Sequence, residues 1–199
     1  GMLCAIAGLF PLILKAASYG TTVSVVSMTV FMVSMILLYA ASTTYHTFDI
    51  SSNVNIVLKR LDHCMIPVLI AGSYTPVCLI VLHNIYGYVM FGIVWGIAIL
   101  AIAFKLLWVT CPKWISSVLY IVMGWTCIMA LPQIYSALAG AAFFWLLAGG
   151  IIYTIGGVIY ALKLPIFNTK HKNFGSHEIF HLFVMGGSAC HFVVMYSLL

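Results

Sequence analysis

Two pairs of polar side chains, each spaced four residues apart, stand out in an otherwise apolar sequence. Ser42 precedes His46, and His177 precedes His181. Residues four positions apart lie on the same face of an α-helix. Two imidazoles at this spacing can bind one metal ion. A third histidine from another segment would give three protein ligands and one open position, which is typical of catalytic zinc. The spacing therefore predicts a Zn²⁺ site formed by His46, His177 and His181.

The stretch from His177 to His181 also matches the metalloprotease motif H-E-x-x-H. In that motif the two histidines bind zinc and the glutamate is the general base. One glutamate between two histidines at helical spacing arises easily by chance, so the match favours a metal more than it favours proteolysis. Glu178 could instead lie at the start of a helix, where the helix dipole favours negative charge. An HExxH metalloprotease is kept as an alternative.

The composition is that of a membrane protein. Of the 199 residues, 64% are apolar and only 6% are charged, and the mean hydropathy is +1.18. A soluble domain is roughly 25% charged, so a soluble domain, a disordered chain and a disulfide-rich secreted domain are all excluded. The apolar runs are continuous rather than alternating, which excludes a membrane β-barrel. The basic residues lie in short loops and are interpreted as topology signals, so no nucleic-acid partner is expected.

Seven apolar segments are candidates for membrane spans, each of which needs about 20 apolar residues. They cover residues 2–18, 22–46, 62–82, 88–108, 114–132, 138–162 and 178–198. The sequence therefore predicts an all-α membrane protein, a seven-transmembrane helix bundle that forms a single domain over residues 1–199. The first segment has a short apolar run before Lys15, and we expect its helix to be truncated.

Positive charge predicts the orientation of the bundle. Seven of the eight Lys and Arg residues fall near the loops after the second, fourth and sixth segments, and only Lys15 falls on the other side. The seven are Lys59, Arg60, Lys105, Lys113, Lys163, Lys170 and Lys172. The positive-inside rule then places the N-terminus in the cytoplasm and the C-terminus outside.

This orientation brings polar residues from three segments to the cytoplasmic side. Ser42 and His46 end the second segment, Asp62 and His63 are expected to open the third, and the histidine pair begins the seventh. An unpaired carboxylate near the membrane core is costly, which favours a role for Asp62 in the site. Asp62 could be a fourth zinc ligand, or it could hold a water on the metal and shuttle its proton.

The remaining histidines and the cysteines could also bind a metal, but the sequence favours structural roles for them. His191 lies 14 residues beyond His177 and so ~21 Å deeper on the same face, where it is expected to line a cavity or to pair with a polar group. Hydrogen-bonding or interfacial roles are expected for His63, His83 and His171. The cysteines are predicted to be small buried hydrophobic residues: Cys4, Cys64, Cys78, Cys111, Cys127 and Cys190.

Five motifs occur in order over nearly the whole chain. They are S-T-T-Y-H at 42–46, R-L-D-H at 60–63, A-G-S-Y-T-P at 71–76, S-H-E-I-F-H-L-F at 176–183 and C-H-F at 190–192. Together they resemble the hemolysin III family, most closely its short bacterial members. That family belongs with the progestin and adiponectin receptors and, more distantly, with the alkaline ceramidases.

The resemblance implies a multi-pass protein of the bacterial cytoplasmic membrane with a zinc ion on the cytoplasmic side. His46, His177 and His181 match the zinc ligands, and Asp62 and Ser42 match the residues that hold a water on the zinc. In the wider superfamily, this set of residues supports the hydrolysis of lipid amides, as in ceramidases. The bacterial members carry a hemolysin label and are linked to membrane homeostasis.

Two classes of function follow. The first is a zinc hydrolase acting on a membrane lipid amide or ester, in which Asp62 moves the proton and Ser42 hydrogen-bonds the water or the oxyanion. The lipid tail would lie in a cavity near Gly186, Gly187 and His191. The second is a non-enzymatic lipid or stress sensor, or a hemolysin-type pore, in which zinc is a structural clasp and Asp62 could be the fourth ligand.

Overall fold

A computed structural model describes residues 1–162 and 175–199, and within these ranges the regular structure is all helical. The α-helices are α1 (Met2–Tyr19), α2 (Thr22–Thr47), α3 (Ser52–Pro76), α4 (Ile85–Leu107), α5 (Lys113–Gly124), α6 (Leu131–Ala137), α7 (Gly140–Leu162) and α8 (Ser176–Ser197). A π-helical segment (Val77–Leu82) extends α3, and a 3₁₀ segment (Trp125–Ala130) joins α5 to α6. The predicted all-α class is confirmed.

Seven helical units in the described ranges are long and apolar enough to cross a membrane. They are α1, α2, α3 with its π-helical extension, α4, the combined α5–α6 unit, α7 and α8. The predicted seven-helix bundle is therefore confirmed, and α1 reaches 18 residues despite its short apolar run. The sidedness of the two termini stays a prediction.

The third helix begins ten residues earlier than predicted, at Ser52 rather than at position 62. The Ser51 hydroxyl caps the helix by accepting a hydrogen bond from the Val54 amide at 3.4 Å. Polar side chains in its first turns resemble a loop in the sequence, but the cap allows them to be helical. Asp62 and His63 therefore do not open the helix; Asp62 lies ~15 Å along it from Ser52.

Four basic residues that the sequence assigns to loops lie on helices instead, one of them Lys113 at the start of α5. Lys59 and Arg60 are within the first three turns of α3, and Lys105 is near the end of α4. Lys105 is fully buried and donates hydrogen bonds to Cys111 Sγ at 3.0 Å and to Ser116 Oγ. These partners offset part of the cost of burying an ammonium group. Of the other residues assigned to these loops, four lie outside the described ranges: Lys163, Lys170, His171 and Lys172.

All six cysteines are free. Burial is confirmed for Cys64, Cys78, Cys111 and Cys190. Cys127 is half-buried, and Cys4 is exposed on α1, contrary to the prediction. The exposed position fits a helix at the edge of the bundle, where an apolar thiol can face lipid.

Close contacts between helices set the positions of the predicted site residues. A Cβ atom at Gly72 on α3 would lie 2.2 Å from Ser34 Oγ on α2, and one at Gly156 on α7 would lie 2.6 Å from Phe183 Cβ on α8. Small residues let membrane helices approach this closely. As a result, α2 and α3 form one tight pair and α7 and α8 form another, with an interior space between the pairs.

The fifth span changes helix type beside this interior space. The Tyr74 hydroxyl donates a hydrogen bond to the Gly124 carbonyl at 2.5 Å and accepts one from the Cys127 amide at 2.8 Å. It thus satisfies backbone groups at the point where α5 gives way to the 3₁₀ segment, as an apolar environment requires. This bond ties the fifth span to α3.

Candidate metal centre and its cavity

Three imidazole rings meet at one end of the bundle. His46 is near the end of α2, and His177 and His181 lie in the first two turns of α8. His177 Nε2 is 3.3 Å from His46 Nε2 and 3.2 Å from His181 Nε2. The ligand atoms of the three residues all lie within 4.8 Å of one another. The structure therefore brings the three sequence-predicted histidines together.

The donor set and its spacing fit a zinc ion. Two nitrogens bound tetrahedrally at ~2.0–2.1 Å from Zn²⁺ are about 3.3–3.4 Å apart, which is close to the two Nε2–Nε2 distances around His177. A hydrogen bond explains only one of these contacts, because a ring nitrogen carries either one proton or one lone pair in the plane of the ring. A single metal ion would account for both contacts.

Asp62 lies next to this cluster without being part of it. Its half-buried carboxylate interacts with the His46 ring and with the Ser42 hydroxyl. Among the described residues, the group of ligand atoms within 4.8 Å of one another contains only the three histidines. The two other sequence-predicted site residues, Asp62 and Ser42, are thus adjacent to the cluster and to each other.

A cavity of about 370 Å³ adjoins the histidines. All five predicted site residues line it: Ser42, His46, Asp62, His177 and His181. Farther from the histidines its wall becomes apolar and includes Ile66, Leu69 and Val184. Cavities of ~300–1,000 Å³ with mostly apolar walls and a few convergent polar groups are typical ligand sites.

Sequence reasoning missed the polar side chains that α5 and α7 contribute to the wall. The Tyr120 hydroxyl donates a hydrogen bond to the His63 carbonyl at 3.1 Å. Lys113 Nζ lies 4.2 Å from the centre of the Tyr160 ring, which is 6.0 Å from the centre of the His177 ring. The sequence does show that Tyr120 and Tyr160 lie inside apolar spans, but the direction in which their side chains point depends on helix packing.

The predicted positions of the deeper residues are partly correct. His191 lines the cavity, as predicted. Gly186 and Gly187 do not line it, because they are used for helix contacts: a Cβ atom at Gly187 would lie 2.8 Å from the Tyr153 ring. Gly150 and Gly157 on α7 form part of the wall instead.

The glutamate of the H-E-x-x-H stretch caps a helix. Glu178 Oε2 accepts a hydrogen bond from the Gly175 amide at 2.8 Å, which completes the N-terminus of α8. Glu178 is not among the residues that line the cavity. This position matches the structural role considered for it and does not favour a general base.

Comparisons with known proteins agree on one family. The profile of the family described as "Haemolysin-III related" matches residues 1–192. The chain is 41% identical over 192 residues to the Hemolysin-3 homolog of Bacillus subtilis, with 96% of this chain and 86% of that protein covered. It is also 41% identical over 192 residues to Hemolysin-3 of Bacillus cereus, with 96% and 84% covered.

A more distant similarity extends to eukaryotic receptors. The chain is 26% identical over 187 residues to the adiponectin receptor protein of Drosophila melanogaster, with 81% of this chain and 40% of that protein covered. No solved structure gives a significant match. The receptor similarity supports a relation to the progestin and adiponectin receptor superfamily.

Proposed function

The chain belongs to the haemolysin-III related family of multi-pass integral membrane proteins, and we propose that it is a zinc-dependent hydrolase of membrane lipids that cleaves an amide or ester bond. The observation that carries the proposal is the convergence of three imidazole nitrogens from α2 and α8 at the wall of a cavity of about 370 Å³. The histidines lie near helix ends, close to the depth at which lipid headgroups meet the acyl chains.

The residues that would hold the metal are His46, His177 and His181. With three protein ligands, one coordination position remains for water or substrate, as in catalytic zinc sites. A bound Zn²⁺ supplies Lewis acidity, which polarises a carbonyl and makes water a stronger nucleophile at neutral pH. The position of Asp62 outside the ligand group supports an open site.

Asp62 is the residue placed to move a proton. An ionised carboxylate only accepts hydrogen bonds, so it can take a proton from the attacking water and return it to the leaving amine or alcohol. The Ser42 hydroxyl beside it orients the carboxylate or the water by hydrogen bonding. The apolar part of the cavity, near Leu69 and Val184, would hold the acyl chain.

A structural zinc in a lipid sensor is the second candidate function. It is favoured by the fact that the histidines would tie the end of α2 to the start of α8, two elements that are far apart in sequence. A closed structural site normally has four protein ligands. In this alternative Asp62 would move into the ligand group, and the protein would show no turnover with or without the metal.

The direct test is fatty-acid release from a panel of ceramides, acyl amides and acyl esters by the purified protein. Zinc content is measured on the same samples. We expect release by zinc-loaded protein, loss of release after chelation and recovery when Zn²⁺ is restored. Zinc-loaded protein that releases no fatty acid from any member of the panel would reject the hydrolase and favour the structural clasp.

Two histidine variants are compared, one at the metal site and one as a control. The double variant His177→Ala/His181→Ala removes two metal ligands and should be inactive. His83→Asn is the control, because His83 is exposed in the turn after the third span and is not among the residues that line the cavity beside the histidines. Asparagine suits that position, where φ is +36°. Equal loss of activity in both variants would show that the effect does not come from the metal site.

A further inference from the structure

A second layer of polar side chains lies deeper in the bundle, and three of its four members line the same cavity. Three of its members lie seven residues from a residue at or beside the histidine cluster. They are Tyr39, seven residues before His46 on α2; Tyr153, seven before Tyr160 on α7; and Ser188, seven after His181 on α8. Seven residues are two helical turns, ~10.5 Å along the axis on nearly the same face. With His191, these three residues form what is called here the deep polar layer.

The hydroxyls of this layer have one proton more than their mutual hydrogen bonds use. The Tyr39 hydroxyl donates to Ser188 Oγ at 2.8 Å, and Ser188 Oγ shares a 2.9 Å hydrogen bond with the Tyr153 hydroxyl. Three hydroxyl groups carry three protons, and two bonds consume two of them. The third proton, on Tyr153 or Ser188, remains for another acceptor, and Tyr153 lines the cavity.

His191 adds a polar atom without a hydrogen-bond partner among the described residues, the Nδ1 atom of its ring. Its ring centre lies 5.3 Å from that of Tyr153, and the residue is only 9% exposed. It lines the cavity, and its buried Nδ1 atom has no hydrogen-bond partner in the described part of the chain. A buried polar atom left unsatisfied is destabilising, so an occupant of the cavity that hydrogen-bonds here would be bound favourably.

Apolar surface flanks the deep polar layer on both sides. Ile66 and Val184, about one turn beyond Asp62 and His181, line the space toward the histidines. On the far side, a smaller cavity of about 70 Å³ shares His191 and Ser73 with the first, and most of its wall is apolar, as at Leu146 and Ile134. The deep polar layer thus has apolar side chains beside it in the direction of the histidines and in the direction of the smaller cavity.

We propose that the deep polar layer binds a hydroxyl group in the middle of an acyl chain, so that the substrate class is a lipid with a mid-chain hydroxylated acyl group. This inference rests on the proposed function, because it places the acyl carbonyl at the histidines. An extended chain advances about 1.2 Å per bond, so a ~10.5 Å separation corresponds to roughly nine bonds. The hydroxyl is therefore placed near carbon 9 or 10.

The test compares the binding of three fatty acids to the purified protein: stearic acid, 10-hydroxystearic acid and 5-hydroxystearic acid. We expect the 10-hydroxy acid to bind about five- to tenfold more tightly than stearic acid, as one buried hydrogen bond provides. The 5-hydroxy acid should show no such gain, because its hydroxyl would face apolar side chains. Equal binding of stearic and 10-hydroxystearic acids, or no binding of any of the three, would overturn the proposal.

Conservative variants separate binding from a purely structural network. Tyr153→Phe and Tyr39→Phe should each abolish the preference for the 10-hydroxy acid while keeping the affinity for stearic acid. Tyr88→Phe is the matched control, because Tyr88 is half-exposed on α4 and lines neither cavity. A network that only joins helices would lower the thermal stability of the first two variants and leave the preference intact, which would reject the binding site.

Zinc content and fatty-acid release from unsubstituted acyl amides, measured on the same samples, distinguish this inference from the proposed function. A preference for the 10-hydroxy acid in protein that holds no zinc or shows no turnover would reject the hydrolase and retain the deep site. Turnover of unsubstituted acyl amides without any preference among the three acids would retain the hydrolase and reject the deep site.

Discussion

The Nε2 atom of His46 lies 3.3 Å from the Nε2 atom of His177, although 131 positions separate the two residues in the chain. The contact exists because α2 ends and α8 begins at the same end of the bundle. A metal ion held across such a contact binds only the folded arrangement, so its binding free energy adds to folding stability. Zinc content is therefore a measure of both the ligands and the packing that aligns them.

We predict one tightly bound Zn²⁺ per chain. Replacing any one of His46, His177 and His181 by alanine should remove most of it, because two remaining protein ligands hold zinc weakly. Elemental analysis of purified protein gives the stoichiometry, and His83→Asn should retain the wild-type value. Stoichiometric zinc in the double variant His177→Ala/His181→Ala would show that the site is elsewhere.

His191→Ala and His63→Ala should both retain the metal. His191 lies ~21 Å from His177 along α8, and the side chain of His63 points about 100° away from that of Asp62 around α3. Both line the cavity, but neither belongs to the group of converging ligand atoms. Loss of zinc in either variant would mean that the ligand set is wrong. The same elemental analysis applies to both.

Gly156→Ala should destabilise the protein and weaken zinc binding together. The added Cβ atom would lie 2.6 Å from Phe183 Cβ, which belongs to the helix that carries two of the ligands. Overpacking of this kind costs ~1–3 kcal/mol, visible as a lower unfolding temperature. Gly96→Ala on α4 is the matched control, since a Cβ atom there meets nothing within 4 Å. Equal stability of the two variants would contradict the tight contact between α7 and α8.

The parts of the fold that could be predicted are those that local sequence determines. Continuous apolar runs define a membrane span without reference to its neighbours, so all seven spans were predictable. The start of α3 was not, because the Ser51 cap and the turns that follow it are polar and resemble a loop. The burial of Lys105 also depended on partners, Cys111 and Ser116, that lie beyond the end of its own helix.

The candidate site also has residues that local sequence predicts and residues whose position depends on packing between helices. The pairs Ser42/His46 and His177/His181 could be predicted from the sequence, because helix periodicity alone places the two members of each pair on one face. Tyr160 and Lys113 were not, because they reach the histidines only through the packing of α5 and α7 against the rest of the bundle. The cavity was expected near Gly187, where a small residue allows either close helix approach or a gap, and the contact with Tyr153 shows that it serves close approach.

We predict that the N-terminus is cytoplasmic and the C-terminus extracytoplasmic. An odd number of spans places the termini on opposite sides. Seven of the eight Lys and Arg residues lie in or near the connections that follow the second, fourth and sixth spans, and this excess selects the orientation. A reporter fused after Leu199 should read as extracytoplasmic. A cytoplasmic signal there would place the histidine cluster on the opposite side of the membrane.

Asp62→Asn should leave zinc nearly intact while abolishing turnover. Asparagine keeps the shape of the side chain and can still hydrogen-bond to water, but it cannot accept a proton at neutral pH. Loss of a general base typically slows a reaction by ~10²–10⁴-fold, whereas loss of a residue adjacent to the ligands weakens metal binding by only ~10–100-fold. Fatty-acid release and zinc content, measured on the same protein, report the two effects separately.

The control for this variant is Asp49→Asn, which removes a carboxylate from the turn between α2 and α3. Asp49 accepts a hydrogen bond from Asn55 at 2.6 Å and lines neither cavity, so turnover and zinc should stay at wild-type values. If Asp62 is instead the fourth ligand of a structural clasp, Asp62→Asn should release the metal and lower the unfolding temperature together. Release of the metal, in a protein without turnover on any lipid, would favour the sensor over the hydrolase, because a residue that is only adjacent to the ligands weakens metal binding by no more than ~10–100-fold.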